Sequence, residues 1–138
     1  MPRPKSYRDL IVWQRAMALA RQTYFATNEF PNREAYGLAS QIRRAAVSVP
    51  SNIAEGHGRL TDSQFRHFLG NSRGSLCEMQ TQLELAMDLG YLKKETSQQL
   101  MDQGSEVARL INGLIASMRP TNSANPASSA SPAKTNVS

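Results

Sequence analysis

TDSQFRHFLGNSRGSLCEMQTQLELAMDLG, residues Thr61–Gly90, is the stretch that decides the fold. It opens on Thr61-Asp62-Ser63-Gln64, a capping-box pattern. In such a box the threonine hydroxyl and the glutamine side chain satisfy amide groups that a helix start leaves without partners. Phe65, Leu69, Ser72, Leu76, Met79, Leu83 and Ala86 then recur in steps of four and three. That is the heptad spacing of a packed helical seam. Gly90 stands where a left-handed residue ends a helix, with apolar Tyr91 and Leu92 after it.

Working outward, the same spacing predicts three more helices. One runs from about Lys94 to Arg119, with Leu100, Gly104, Val107, Ile111, Leu114 and Met118 as its seam. Another runs from about Glu34 to Glu55, on Leu38, Ile42, Ala45, Val49 and Ile53. Pro50 lies inside that pattern, removes one backbone hydrogen bond, and is expected to kink the helix or split it. The first helix runs from about Asp9 to Asn28, with Leu10, Trp13, Met17, Ala20 and Tyr24 on one face. Phe30-Pro31 ends that segment, because the residue before a proline avoids helical angles. The loops are short, and short loops force sequence neighbours to pack antiparallel. No strand-like alternation and no internal repeat appear. The expected fold is all-α: an antiparallel up-down-up-down four-helix bundle over residues 1–119. Residues 120–138 are Ser, Ala, Asn, Pro and Thr with one Lys, have almost nothing to bury, and are expected to be a disordered tail.

A chain of 138 residues suits one domain and needs no staple to hold its core. Cys77 is the only cysteine, so no intrachain disulfide can form. No apolar run approaches a membrane span and the N-terminus lacks a signal-peptide core, so a cytoplasmic protein without membrane contact is expected. The formal net charge is +5, carried by twelve arginines and four lysines against eleven acids. Arginine forks onto phosphate or carboxylate, which makes nucleic acid a candidate partner. An arginine-rich genome composition would account for the same excess.

The parts for chemistry are missing. His57 and His67 sit in or near the turn before the third helix, and neither has further ligands at metal-binding spacing. Cys77 has no basic partner placed to lower its pKa and reads as a small packed thiol. No glycine-rich loop follows a strand, and Gly56-His57-Gly58 reads as a turn. No metal, no cofactor and no enzymatic activity are therefore expected. The second helix is unusual in two ways. Gln41, Arg44, Ser48, Asn52 and Glu55 line one edge at steps of three and four, either as a hydrogen-bonded or ligand-binding strip or as an ordinary solvated edge. Tyr36, Val47 and Ala54 lie roughly opposite its core stripe. A helix with apolar residues on two sides is often buried twice, which suggests packing against another subunit with the polar strip fixing register.

Several of these residues also carry a resemblance. Asp9-Leu10-x-Val12-Trp13-Gln14-x-Ala16, Phe30-Pro31, the run from Tyr36-Gly37-Leu38 through Gln41-Ile42-Arg43-Arg44 to Asn52-Ile53-Ala54-Glu55-Gly56, then Gly74-Ser75-Leu76-x-Glu78 and Thr81-Gln82-Leu83 stand in order. Together they resemble the four-helix-bundle proteins encoded in intervening sequences of bacterial 23S ribosomal RNA genes. The match spans about Tyr7 to Leu92, the fourth helix matching in pattern only. Asn71-Ser72 and Cys77 depart from it, standing where smaller apolar residues are expected. The resemblance implies a four-helix bundle that assembles into a homopentamer. A related group, the accessory proteins of diversity-generating retroelements, is similarly pentameric and basic and binds nucleic acid and a reverse transcriptase. RNA or DNA is thereby implied as a partner, with a pure protein-interaction scaffold as the alternative.

Charge placement sharpens the first reading. In an up-down bundle the start of the first helix, the end of the second, the start of the third and the end of the fourth share one end. That end holds Arg3, Lys5, Arg8, Arg15, Arg59, Arg66, Arg73, Arg109 and Arg119, against Asp9, Glu55 and Asp62, with Glu106 near the midpoint. The opposite end is close to balanced, six basic residues facing seven acidic. The expectation is sequence-independent binding of RNA or DNA centred on Arg8, Arg15, Arg59, Arg66 and Arg73. An ordinary solvated surface would show the same count.

Overall fold

A computed structural model describes residues 3–118. Thr61 opens the long helix with the hydroxyl half of the capping box; the Gln64 side chain makes no return bond to it. The Thr61 backbone is extended (φ −123°, ψ 153°) and its hydroxyl accepts from the Gln64 N–H at 3.1 Å. The helices are α1 (Ile11–Thr27), α2 (Leu38–His57), α3 (Asp62–Asp88) and α4 (Lys94–Ser117). One-turn 3-10 segments at Tyr7–Asp9 and Asn32–Glu34 precede α1 and α2. Among the described residues there is no strand. The expected disordered tail, 120–138, and the expected helix end at Arg119 lie outside the described residues.

The seam expected for α3 is the buried face: Phe65, Leu69, Ser72, Leu76, Met79, Leu83 and Ala86 are all inside. Gly90 has φ +80°, and the Tyr91 N–H turns back to the Ala86 carbonyl at 2.9 Å, closing the helix end. Ser72, one of the departures from the family pattern, fits this core. Its hydroxyl is fully buried and donates to the Val49 carbonyl at 2.8 Å. Cys77 is exposed rather than packed. It follows Leu76 by one residue, which rotates it about 100° away from the seam.

α2 buries Ala39, Ile42, Ala45, Ala46, Val49 and Ile53. Of the two outcomes expected at Pro50, a split does not occur: α2 runs through it as one helix, with Pro50 buried. The helix starts four residues later than expected, because residues 32–37 form a short turn in which Glu34 acts as a cap. Its Oε1 accepts from the Leu38 N–H at 3.0 Å. Gly37 makes room for this: a Cβ there would lie 2.6 Å from the same oxygen. Gly56 and His57 belong to α2, not to a turn. Gly56 is buried because α3 crosses it closely, and a Cβ on it would lie 2.7 Å from Phe68 Cβ and 2.9 Å from Phe65 Cδ1.

α1 corrects the sequence reading most. Its buried residues are Val12, Ala16, Leu19, Ala20, Thr23 and Thr27. Of the expected stripe, Leu10 and Ala20 are buried, whereas Trp13 and Met17 are half-buried and Tyr24 is exposed. The two threonines satisfy their hydroxyls inside the helix, Thr23 donating to Leu19 O at 2.8 Å and Thr27 to Thr23 O at 2.9 Å. They can therefore occupy the core at little cost.

Each helix packs on its two sequence neighbours, α4 closing on α1. The touching pairs run in opposite senses: Ser48 against Ser75 and Gln41 against Gln82, Thr27 against Arg43, Arg73 against Asn112, and Arg15 against Glu106. Neighbours are thus antiparallel. Arg3 and Met118 line one hollow of about 300 Å³ at the shared end, together with Leu10, Asp62, Phe65 and Leu114.

Candidate functional site

Because the α1 core face is rotated away from Trp13, Met17 and Tyr24, these side chains meet α2 from outside. With Val47, Pro50 and Ala54 they line an open apolar groove of about 490 Å³. Val47 is 43% exposed and Phe25, also in the lining, 64%. Val47 and Ala54, singled out for their position opposite the α2 core, therefore share one surface. Tyr36 does not join them: it stands in the turn before α2, 99% exposed.

The polar edge of α2 turns the other way, toward α3. The Ser48 and Ser75 hydroxyls are 2.8 Å apart, and Asn52 Nδ2 donates to Ser48 Oγ and Ser48 O, each at 2.9 Å. Gln82 Nε2 reaches Gln41 Oε1 at 3.5 Å. Three of the five residues thus contact α3 or a residue that does, within one chain. Glu55 binds Arg59 one turn on, and Arg44 is exposed with no ion-pair partner among the described residues.

The basic end divides into paired and unpaired groups. Arg15 forms an ion pair with Glu106 across α1 and α4. Arg59 pairs with Glu55 at 2.8 Å, its guanidinium 4.7 Å from the Phe68 ring centre. Arg3 donates to the Arg59 carbonyl at 2.7 Å and to Asp62 at 2.9 Å, and lies 4.8 Å from the Phe65 ring centre. The His57 ring Nε2 is 2.7 Å from the Pro4 carbonyl. The chain ahead of α1 is in this way tied to the α2–α3 turn. Arg8, Arg66 and Arg73 have no carboxylate partner among the described residues. Arg8 lies over Tyr7, 4.8 Å from its ring centre. Arg73 donates to Asn112 Oδ1 at 2.7 Å, a neutral partner that leaves its charge uncompensated. Arg66 is half-buried, and its Nε has no hydrogen-bond partner. Arg66 and Arg73 stand seven residues apart on one face of α3.

Glu34 and Arg3 escaped the sequence reading as structural anchors. Glu34 accepts from the Leu38 N–H and, at 3.1 Å, from the Tyr91 hydroxyl. The Leu38 bond first, then the Tyr91 bond, hold its carboxyl below the ordinary range against an opposing effect of burial, and Arg33 adds to the lowering. A Glu followed three residues later by Gly just ahead of an apolar stripe was the signal available. Arg3 offered none, since its partners lie more than fifty residues away.

Among the described residues no group of three or more His, Cys, Asp or Glu could hold a metal ion, and no helix is long and apolar enough to cross a membrane. Fold and surfaces together define an all-α, four-helix protein whose distinctive features, an apolar groove and a guanidinium-rich end, lie on its outside. The chain belongs to the family of 23S rRNA-intervening sequence proteins, whose model matches residues 8–113. It is similar in structure to a protein of unknown function from the S23 ribosomal protein family of Bacteroides thetaiotaomicron VPI-5482. The TM-score is 0.69 at 21% identity, covering 76% of this chain and 98% of that one. At that identity the likeness speaks to the fold alone. No curated protein matches the sequence.

Proposed function

We propose that this protein is a non-enzymatic, homo-oligomeric bundle that binds RNA or DNA through its basic end, without reading sequence. The observation that carries the reading is the set of uncompensated guanidinium groups there, Arg8, Arg66 and Arg73, on elements that converge at one end. Arg15 and Arg59 are engaged with Glu106 and Glu55, but exposed ion pairs are worth at most about 1 kcal/mol and exchange readily for phosphate. A homo-oligomer, five subunits by the family resemblance, would set several such ends side by side and multiply the phosphate contacts. Guanidinium groups on phosphate fix position without discriminating bases.

The test is the affinity for a generic RNA across a salt series. Each phosphate contact contributes about 0.7–0.9 to the slope of log affinity against log salt. Arg66→Gln with Arg73→Gln should flatten the slope, while Lys93→Gln with Lys94→Gln, at the opposite end, should not. Absence of binding at low salt, or equal loss from both pairs, rules the reading out.

The apolar groove favours a second reading, a scaffold that presents its surface to another protein and has no nucleic-acid role. Its signature is assembly and partner binding that survive the salt series unchanged.

A further inference from the structure

We propose that the α1–α2 groove of one subunit receives the C-terminal end of α3 of the next, with Leu85 and Leu89 as the side chains that enter it. The proposal rests on the homo-oligomer reading and names its contact surfaces.

Leu85 and Leu89 are 48% and 52% exposed and stand one turn apart, Leu85 in the last turn of α3 and Leu89 at its C-cap. Neither belongs to the α3 seam, which passes through Leu83 and Ala86 instead. They form a small apolar ridge that their own chain leaves about half uncovered. The groove is the reciprocal feature, a concave apolar surface that its own chain leaves open.

Charge complements shape. Arg21 lines the groove, and Arg44 stands one turn before Val47 on its α2 side. Both are exposed without an ion-pair partner among the described residues. The ridge is flanked by Glu84 and Asp88, exposed and equally unpaired. One surface of the chain thus offers apolar side chains among arginines, and another offers leucines among carboxylates.

Position along the bundle agrees. Arg21, Tyr24 and Phe25 lie in the C-terminal half of α1, which in an antiparallel bundle is level with the end of α3. The groove runs on from there past Val47 to Ala54, and Val47, next to Ser48 and so level with Ser75, lies more than two turns below Leu85. Subunits related by rotation about an axis parallel to the helices meet at equal height, so the ridge enters the Phe25 end of the groove. Groove and ridge are different patches of one chain, so the contact is heterologous and repeats from subunit to subunit, forming a ring when the rotation closes. Every basic end then faces the same side.

The experiment uses the full chain with Phe25→Asp, which spoils the end of the groove level with the ridge, and Leu85→Asp, which spoils the ridge. A buried unpaired carboxylate is costly to desolvate. Mass is read by light scattering at micromolar concentration, and circular dichroism checks that each variant keeps its helices. Each variant alone should be monomeric. Their equimolar mixture should form a two-chain species, since one intact groove meets one intact ridge and the spoiled faces cap the pair. If Leu85→Asp assembles normally while Phe25→Asp does not, the ridge is wrong and the proposal falls. If both variants assemble as the wild type does, the proposal falls and the homo-oligomer reading stands. A monomeric wild type removes both. Should either aspartate variant lose its helices, charge reversal replaces it. Arg21→Glu with Arg44→Glu, and separately Glu84→Lys with Asp88→Lys, should each weaken assembly, and mixing the two should recover species in which the variants alternate. Failure of the mixture to recover overturns the proposal.

Discussion

α1 and α3 are both amphipathic, and each packs on two neighbours, yet their apolar side chains serve different ends. α3 carries one seam, and every residue of it is inside. α1 carries two stripes sharing Ala20. The one with larger side chains, through Trp13, Met17 and Tyr24, looks outward onto the groove, while Val12, Ala16, Leu19, Thr23 and Thr27 fill the core. Side-chain size is therefore a poor guide to which stripe is the core. Small residues let two helices approach, and a threonine that bonds its own helix costs little inside. Aromatic groups left outside are available for another surface.

The strongest challenge to this contrast is Leu83→Ala. Leu83 has no exposure, and truncating it should cost about 2–5 kcal/mol of stability, measured by denaturant unfolding. A cost under about 1 kcal/mol would mean that the α3 seam is loosely packed. Next comes Gly56→Ala, at the closest approach of α2 to α3. The added methyl meets carbon atoms of Phe65 and Phe68 that have little freedom to withdraw, so a loss of about 1–3 kcal/mol is expected. Thr61→Ala removes the hydroxyl that starts α3 and should cost about 1 kcal/mol by the same measurement. α1 begins at Leu10 without a side-chain cap, so no equivalent loss is available there.

α2 starts on the Glu34 carboxylate, whose pKa is lowered in the folded chain from an ordinary 4.5. A lowered folded pKa gives stability that is complete above the unfolded value and lost as pH falls through the folded one. Melting temperature followed from pH 7 to pH 3 should therefore drop more steeply below 4.5 in the wild type than in Glu34→Gln. Parallel curves would show that the carboxylate contributes nothing. The smallest effect belongs to the groove. Phe25→Ser, at a side chain 64% exposed, should change the stability of the isolated subunit by no more than about 0.5 kcal/mol. A larger loss at dilutions where assembly is absent would return the outer stripe of α1 to the core.

Four helices were legible because α3 and α4 each show a single apolar stripe, and because Thr61 and Gly90 mark the ends of the clearest one. Where two stripes compete, as in α1, periodicity specifies a helix but not its rotation. Pro50 did not split α2. The rule for a proline inside a helix concerns one lost hydrogen bond and one clash, and α2 is held on both sides of it by buried Ala46, Val49 and Ile53. At the basic end, the arginine positions could be read directly, and so could the Arg59–Glu55 pair, one helical turn apart. The Arg15–Glu106 and Arg73–Asn112 contacts could not, because they depend on how neighbouring helices are rotated against each other.

The hollow lined by both Arg3 and Met118 has a mechanical consequence. The described chain begins and ends at one pole of the bundle. A pull applied at those two points loads the antiparallel contact between α1 and α4 one turn at a time, as a zip is opened, instead of shearing its full length at once. Resistance to stretching should accordingly be low, with the outer pair of helices peeling first and the closely crossed hairpin of α2 and α3 giving way last. Clamping the same molecule at opposite poles should make it markedly harder to extend.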